Sequence, residues 1–264
     1  MSRARKLPVV LLHALPLASA MWQAQAEALR ARGHLVLVPD QRGFGNAPLG
    51  TPRPSLDTVA DDLATLLDEQ GIGEVALAGC SMGGYVAMAF LRRHPHRVRA
   101  LALLSTRADA DSPQTVAERH RFADLMLDPA KRDQVVAATT PLLLGITART
   151  RDTGLVDRVV AMAAAADPEA VAWAQRAIAA RPDSLPVLRA TDAPAVVVTG
   201  VEDELVSMEE AAGMARTLPH GRLVTVPAAG HLLPMEAPER VTDVLLALLD
   251  EAAAADGKEQ DDTC

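Results

Sequence analysis

The chemistry this chain can do starts at Ser81, in the run Gly79-Cys80-Ser81-Met82-Gly83. This G-x-S-x-G pattern comes directly after an apolar strand-like run at 75–78 and directly before a helix pattern at 82–93. A strand-to-helix turn that tight holds its serine in a strained backbone geometry and lifts the hydroxyl clear of a sheet. Gly79 and Gly83 supply the missing side chains, and the helix start aims N–H groups at any oxyanion that develops beside the serine. Cys80 adjoins Ser81, but an unpaired cysteine in such a run behaves as a small buried apolar residue. A serine hydroxyl is a weak nucleophile until an imidazole takes its proton. Of the seven histidines, His231 is placed for this. It follows a strand pattern in Pro227-Ala-Ala-Gly230-His231, where Gly230 permits a tight loop at the carboxyl edge of a sheet. His34, His94, His96, His120 and His220 stand in polar surroundings and read as surface. The His94-x-His96 pair lacks the cysteines or carboxylates a metal site requires, so no metal is expected. The carboxylate that must orient the imidazole lies in Gly200-Val-Glu202-Asp203-Glu204, after another strand pattern, with Asp109 as the rival position.

The elements that must position these groups are legible as a pattern. Apolar runs at 7–12, 35–38, 75–78, 101–104, 195–199 and 222–226 read as strands buried on both faces. Helical periodicity at 18–31, 55–70, 82–93, 207–218 and 238–249 alternates with them, which predicts an α/β fold with a mainly parallel central sheet. Between 107 and 189 the text is alanine-rich and helical with no strand, interrupted by Pro113, Pro129, Pro141, Pro168 and Pro182. We therefore expect a single domain over 1–264, with a core at 7–106 and 190–250 and a helical cap inserted at 107–189. The basic start, Arg3 to Lys6, and the polar tail from Ala252 to Cys264 read as frayed ends.

The 34 acidic side chains against 26 basic ones give a net charge of −8, which disfavours a nucleic-acid partner. No apolar run is long enough to span a membrane, and Cys80 and Cys264 make no disulfide framework, so a cytoplasmic location is the default expectation.

On these motifs the chain resembles the α/β-hydrolase superfamily, whose members carry nucleophile, acid and histidine in that order along the sequence. Leu11-Leu-His13-Ala14-Leu15-Pro16 is similar to the family's H-G-x-P loop, and Asp40-Gln-Arg42-Gly-Phe-Gly45 to its D-x-R-G-x-G turn. The resemblance covers about 7–106 and 190–250, and Gly200-x-x-Asp203 and Gly230-His231 match its acid and base signatures. It implies a triad of Ser81, Asp203 and His231, with backbone N–H groups of Leu15 and Met82 as the oxyanion hole. His13 would then brace its loop. Ala14 departs from the family's glycine, and Asn46 stands where a serine is common. The implied activity is that of the carboxylesterase and enol-lactonase branch: hydrolysis of a small-molecule ester or lactone through an acyl-enzyme, without cofactor. The same scaffold also serves non-hydrolytic lyases or cyclases and ligand receptors. In the cap, residues 122–127, 142–144 and Trp173 suggest either apolar substrate walls or packing of the cap onto the core, and Arg107, Arg149, Arg151 and Arg176 read either as cations able to grip a carboxylate or as solvated surface.

Overall fold

The computed structural model describes residues 6–261. Of the basic start only Lys6 is among them, and it donates to the Arg32 carbonyl at 2.7 Å. The rest of that run and the last three residues of the expected frayed tail lie outside the described residues.

Among the described residues six strands, β1 (Val9–Leu12), β2 (Val36–Leu37), β3 (Val75–Cys80), β4 (Val98–Leu104), β5 (Ala195–Gly200) and β6 (Gly221–Val226), form one sheet in the order β2-β1-β3-β4-β5-β6. Every pairing is parallel. Parallel strands covered on both faces have no polar side to show, so β1, β3 and β5 are buried at every residue. Side chains alternate between faces. Val10, Leu12, Leu77, Leu101, Leu103 and Val197 point into one apolar cluster. Leu11, Ala76, Ala78, Ala102, Leu104, Val196 and Val198 point into the other.

The first cluster is closed by α2 (Leu56–Glu69), α3 (Met82–Arg93) and α10 (Met208–Thr217). The second is closed by α1 (Gln23–Ala31) and α12 (Pro238–Asp261). Where helix was expected from residue 18, the chain makes a 3-10 turn, Ser19–Trp22, before α1 begins. The expected fraying from Ala252 is not seen within the described residues, where α12 continues to Asp261. Its apolar stripe explains this: Val241, Val244, Leu245, Leu248, Leu249 and Ala252 are all buried on the sheet, and the alanines that follow are strong helix formers.

Between β4 and β5 the described chain is helical: α4 (Pro113–Leu127), α5 (Arg132–Thr139), α6 (Ile146–Arg151), α7 (Thr153–Ala164), α8 (Pro168–Ala179) and α9 (Leu185–Arg189). A short helix, α11 (Leu233–Glu236), precedes α12.

The sheet order sets where function can gather. From β1 the chain steps outward to β2 and then crosses back to β3 on the other side of β1. The loops leaving β1 and β3 therefore diverge at their carboxyl ends, and open parallel sheets bind ligands in such a crevice. Leu15 and Ser81 emerge there.

Candidate active site

Ser81 has φ 53° and ψ −114°, in the left-handed half of backbone space that a side chain enters only at a cost of about 1–3 kcal/mol. The turn is held from several sides. The Ser81 N–H donates to the Leu104 carbonyl at 2.9 Å, and the Ser81 carbonyl accepts the Thr106 hydroxyl at 2.9 Å. The flanking glycines are required by contact: a Cβ on Gly79 would lie 2.2 Å from the Gly83 carbonyl oxygen, and one on Gly83 2.2 Å from that of Leu12. Cys80 is wholly buried, its Sγ 3.6 Å from the His231 carbonyl oxygen. Burial, with the charges of Asp203 and Glu236 adding to it, pushes its thiol well above the usual range, so it does not offer a thiolate.

His231 Nδ1 lies 3.0 Å from both carboxylate oxygens of Asp203. Among the three consecutive acids it is thus Asp203 that meets the imidazole. Its neighbours are engaged elsewhere, Glu202 with Thr147 and Glu204 with Arg149. The rival Asp109 is exposed. The pairing is local in origin, because the loops after β5 and β6 are bonded to each other. Val201 N–H donates to the Val226 carbonyl and Glu202 N–H to the Ala229 carbonyl, both at 2.9 Å. Gly200 makes that approach possible, since a Cβ there would stand 2.3 Å from the carbonyl oxygens of Ala229 and Gly230. The side chain of Asp203 has no exposed surface and that of His231 has 5%. Burial alone would push the Asp203 carboxyl up. The hydrogen bond and charge of His231, with the N–H groups of Leu205 and Val206, outweigh it and hold the carboxyl below its usual range. Asp203 is therefore an anion that fixes the proton on Nδ1 and leaves Nε2 free to accept one.

Ser81, His231, Leu15 and Met82 line one cavity of about 560 Å³. Met82 is the first residue of α3, so its N–H is one of those a helix leaves without an internal partner. Leu15 follows Ala14, whose φ is not in the left-handed region, so alanine occupies the loop without the strain it would suffer there. The Ala14 N–H donates to Met21 Sδ at 3.1 Å. His13 holds this loop to the next one: its Nε2 accepts the Gln41 N–H at 2.9 Å, and Gln41 Nε2 donates to the His13 carbonyl at 2.7 Å. In the following turn Asp40 accepts the N–H groups of Ser19 and Asn46, and Arg42 grips Asp62 on α2 with two bonds.

The far walls come from the helical insertion. Phe122, Met126, Leu142 and Leu143 stand on the cavity as expected, whereas Leu144 is buried in the core. Trp173 is not on the wall, and its indole N–H donates to the Pro52 carbonyl at 2.9 Å, which packs the insertion onto the core. Of the four arginines, Arg107 reaches the cavity, paired with Glu210 at 3.3 Å. Arg149 and Arg176 are paired with Glu204 and Asp124, and Arg151 is exposed. Thr115, Glu118, Arg119 and Gln175 also line the wall. They come from amphipathic helices whose sequence marks no face as a site. Among the described residues, no group of three or more His, Cys, Asp or Glu side chains is arranged to hold a metal ion. No described helix is long and apolar enough to cross a membrane.

The family model of the alpha/beta hydrolase fold matches residues 8–238. The chain belongs to the α/β-hydrolase superfamily. The hydrolase is similar to an esterase from Thermogutta terrifontis, solved with malate bound, at 38% identity and a TM-score of 0.89, covering 93% of this chain and 90% of that one. It shares its fold with an enol-lactonase from Burkholderia xenovorans LB400, at 24% identity and a TM-score of 0.83 over 95% of this chain and 94% of the other. By sequence it is 28% identical, over 92% of its length, to the dihydrolipoyllysine-residue acetyltransferase component of an acetoin cleaving system of Pseudomonas putida. It is 36% identical over 44% of its length to epoxide hydrolase A of Mycobacterium tuberculosis. The matches span 63% and 37% of those two proteins.

Two features of the hydrolase predict stability. Burial drives His13 down to about 4 by stripping water from the charged ring; its Nε2 is the acceptor of the Gln41 N–H, a role only the neutral ring can fill. The folded value lies below the unfolded 6.5, so the unfolded chain takes up the proton first as pH falls. Stability from this residue is therefore present above pH 6.5 and drains away towards pH 4, by about 3 kcal/mol in all. Urea unfolding of the wild type and His13→Gln across that window should show the gap between them narrowing as pH falls, and a constant gap would contradict the assignment.

The second feature joins the two ends of the insertion. Asp111, whose side chain is 1% exposed, is bonded by Arg181, 4% exposed, and by Arg119. Burial pushes the Asp111 carboxyl up, but the two arginines outweigh it and hold it down. Arg181 also lies over the Tyr85 ring at 4.2 Å. Asp111→Ala leaves both guanidinium groups without their carboxylate and should cost about 3–5 kcal/mol in denaturant unfolding.

Proposed function

We propose that this hydrolase cleaves a small-molecule carboxylic ester or lactone by two-step acyl transfer, with Ser81 as nucleophile, His231 as general base and Asp203 as its orienting acid. The observation that carries the reading is the Asp203-bonded imidazole of His231 on the wall of the cavity that the strained Ser81 turn also reaches. Ser81 Oγ attacks the carbonyl carbon as its proton passes to His231 Nε2. The oxyanion of the tetrahedral adduct is received by the N–H groups of Leu15 and Met82, each such donor being worth about 3 kcal/mol in the transition state. His231 then returns the proton to the departing alkoxide oxygen, leaving the acyl group on Ser81. Water, deprotonated by the same imidazole, attacks that ester, and the acid leaves as Ser81 recovers its proton.

The helical insertion acts as a cap over this centre. Its Phe122, Met126, Leu142 and Leu143, with Val171 and Ile178, favour an apolar acyl or alcohol portion in the substrate. The likeness to an esterase over nearly the whole chain supports the same chemistry. The test is turnover of p-nitrophenyl butyrate followed in heavy-oxygen water. Hydrolysis releases butyrate carrying the label after a burst of nitrophenol, and a product without label would refute the hydrolytic assignment.

A further inference from the structure

The three consecutive acids that the sequence left unresolved have three separate partners, and two of these lie in one short piece of the insertion. Glu202, immediately before Asp203, accepts the Thr147 N–H at 2.8 Å and the Thr147 hydroxyl at 2.6 Å. Glu204, immediately after it, is ion-paired with Arg149. The same piece is bound to the loop that carries His231. The Leu232 N–H donates to the Leu143 carbonyl at 3.2 Å. Glu236 Oε2 accepts from Gly145 at 2.7 Å and from Gly230 at 2.9 Å, and its Oε1 accepts the Leu232 N–H at 2.9 Å. One carboxylate thus holds the residue before His231, the residue after it and the backbone of the insertion. Two glycines let these backbones lie flush: a Cβ on Gly230 would stand 2.3 Å from the Gly145 nitrogen, and one on Gly145 2.5 Å from Glu202 Oε2.

We infer that segment 143–149 is a strap that sets the geometry of the acid and base loops, with Thr147, Glu202 and Glu236 as positioning residues for the Asp203–His231 pair. The helical insertion thereby does more than wall the substrate; it holds the catalytic machinery from outside the core. The inference rests on the reading of Asp203 and His231 given above. A carboxylate is required at 236 because three N–H groups converge on two oxygens, and an amide would turn an NH2 towards at least one of them. Thr147 contributes through its hydroxyl, which serine retains and valine lacks. Shifts of the order of 1 Å in a base are enough to lower turnover by about 100-fold.

The experiment compares wild type, Thr147→Val, Thr147→Ser and Glu236→Gln. Two readouts are taken on each: kcat and KM for p-nitrophenyl butyrate, and the far-downfield proton resonance of the imidazole Nδ1–H bonded to carboxylate in the resting protein. The strap predicts a fall in kcat of about tenfold in Thr147→Val and about 100-fold in Glu236→Gln, with KM changed by no more than about twofold. The downfield proton should shift or broaden in both, and Thr147→Ser should restore both readouts. Folded Thr147→Val with unchanged kcat and an unchanged resonance would overturn the strap, and it decides the matter even if Glu236→Gln does not fold. Should the wild type show no ester turnover, the proposed function fails, while the resonance still tests the strap.

Discussion

Ser81→Ala should retain the fold and lose turnover of p-nitrophenyl esters by about four to six orders of magnitude. Alanine removes only Oγ. The bonds that hold the turn, Ser81 N–H to Leu104 and the Thr106 hydroxyl to the Ser81 carbonyl, belong to the backbone and persist. The strained φ of 53° is no worse for alanine than for serine, so thermal unfolding should shift by only a few degrees. Residual activity should come from the oxyanion donors and binding alone, with no burst, because no covalent acyl group can form. A variant within tenfold of wild type would remove Ser81 from the mechanism.

Asp203→Asn is expected to give the second-largest loss, about 10⁴-fold in kcat, for a reason visible in its hydrogen bonds. Asp203 Oδ1 accepts the N–H groups of Leu205 and Val206 at 2.9 and 3.1 Å while both oxygens face His231 Nδ1. An asparagine keeps its oxygen on those backbone donors and turns its NH2 towards the imidazole. Nδ1 must then be the acceptor, the proton moves to Nε2, and the nitrogen that should receive the Ser81 proton is already protonated. Steady-state kinetics with an unfolding curve checks this. The fold should survive. Unimpaired turnover at neutral pH would show that the imidazole does not need this partner.

Much of this was legible in the sequence because parallel strands buried on both faces leave uninterrupted apolar runs, and functional groups collect at their carboxyl ends. Ser81, Asp203 and His231 each stand a few residues beyond such a run, and the structure brings Asp203 onto His231 and opens Ser81 and His231 to one cavity. One strand was less legible: β2 has only two residues, Val36 and Leu37, within the apolar run at 35–38. The tail was misjudged from its polarity, although Ala252 continues the buried stripe of α12. For Trp173 the sequence allowed either the substrate wall or packing of the cap onto the core, and its indole N–H is committed to Pro52. The contacts of Glu202, Glu204 and Glu236 with the insertion could not be read along the chain at all, since those partners are 55 to 91 residues away and include backbone N–H groups, which every residue but proline offers.

The proposed mechanism requires Ser81 to be the activated nucleophile, and the most direct measurement is labelling with a fluorophosphonate followed by mass mapping of the modified peptide. One equivalent should attach to Ser81 and abolish ester turnover in proportion, and His231→Ala should react far more slowly. Stoichiometric loss of turnover with the label on any other residue, Cys80 included, or full turnover by protein labelled at Ser81, would contradict it.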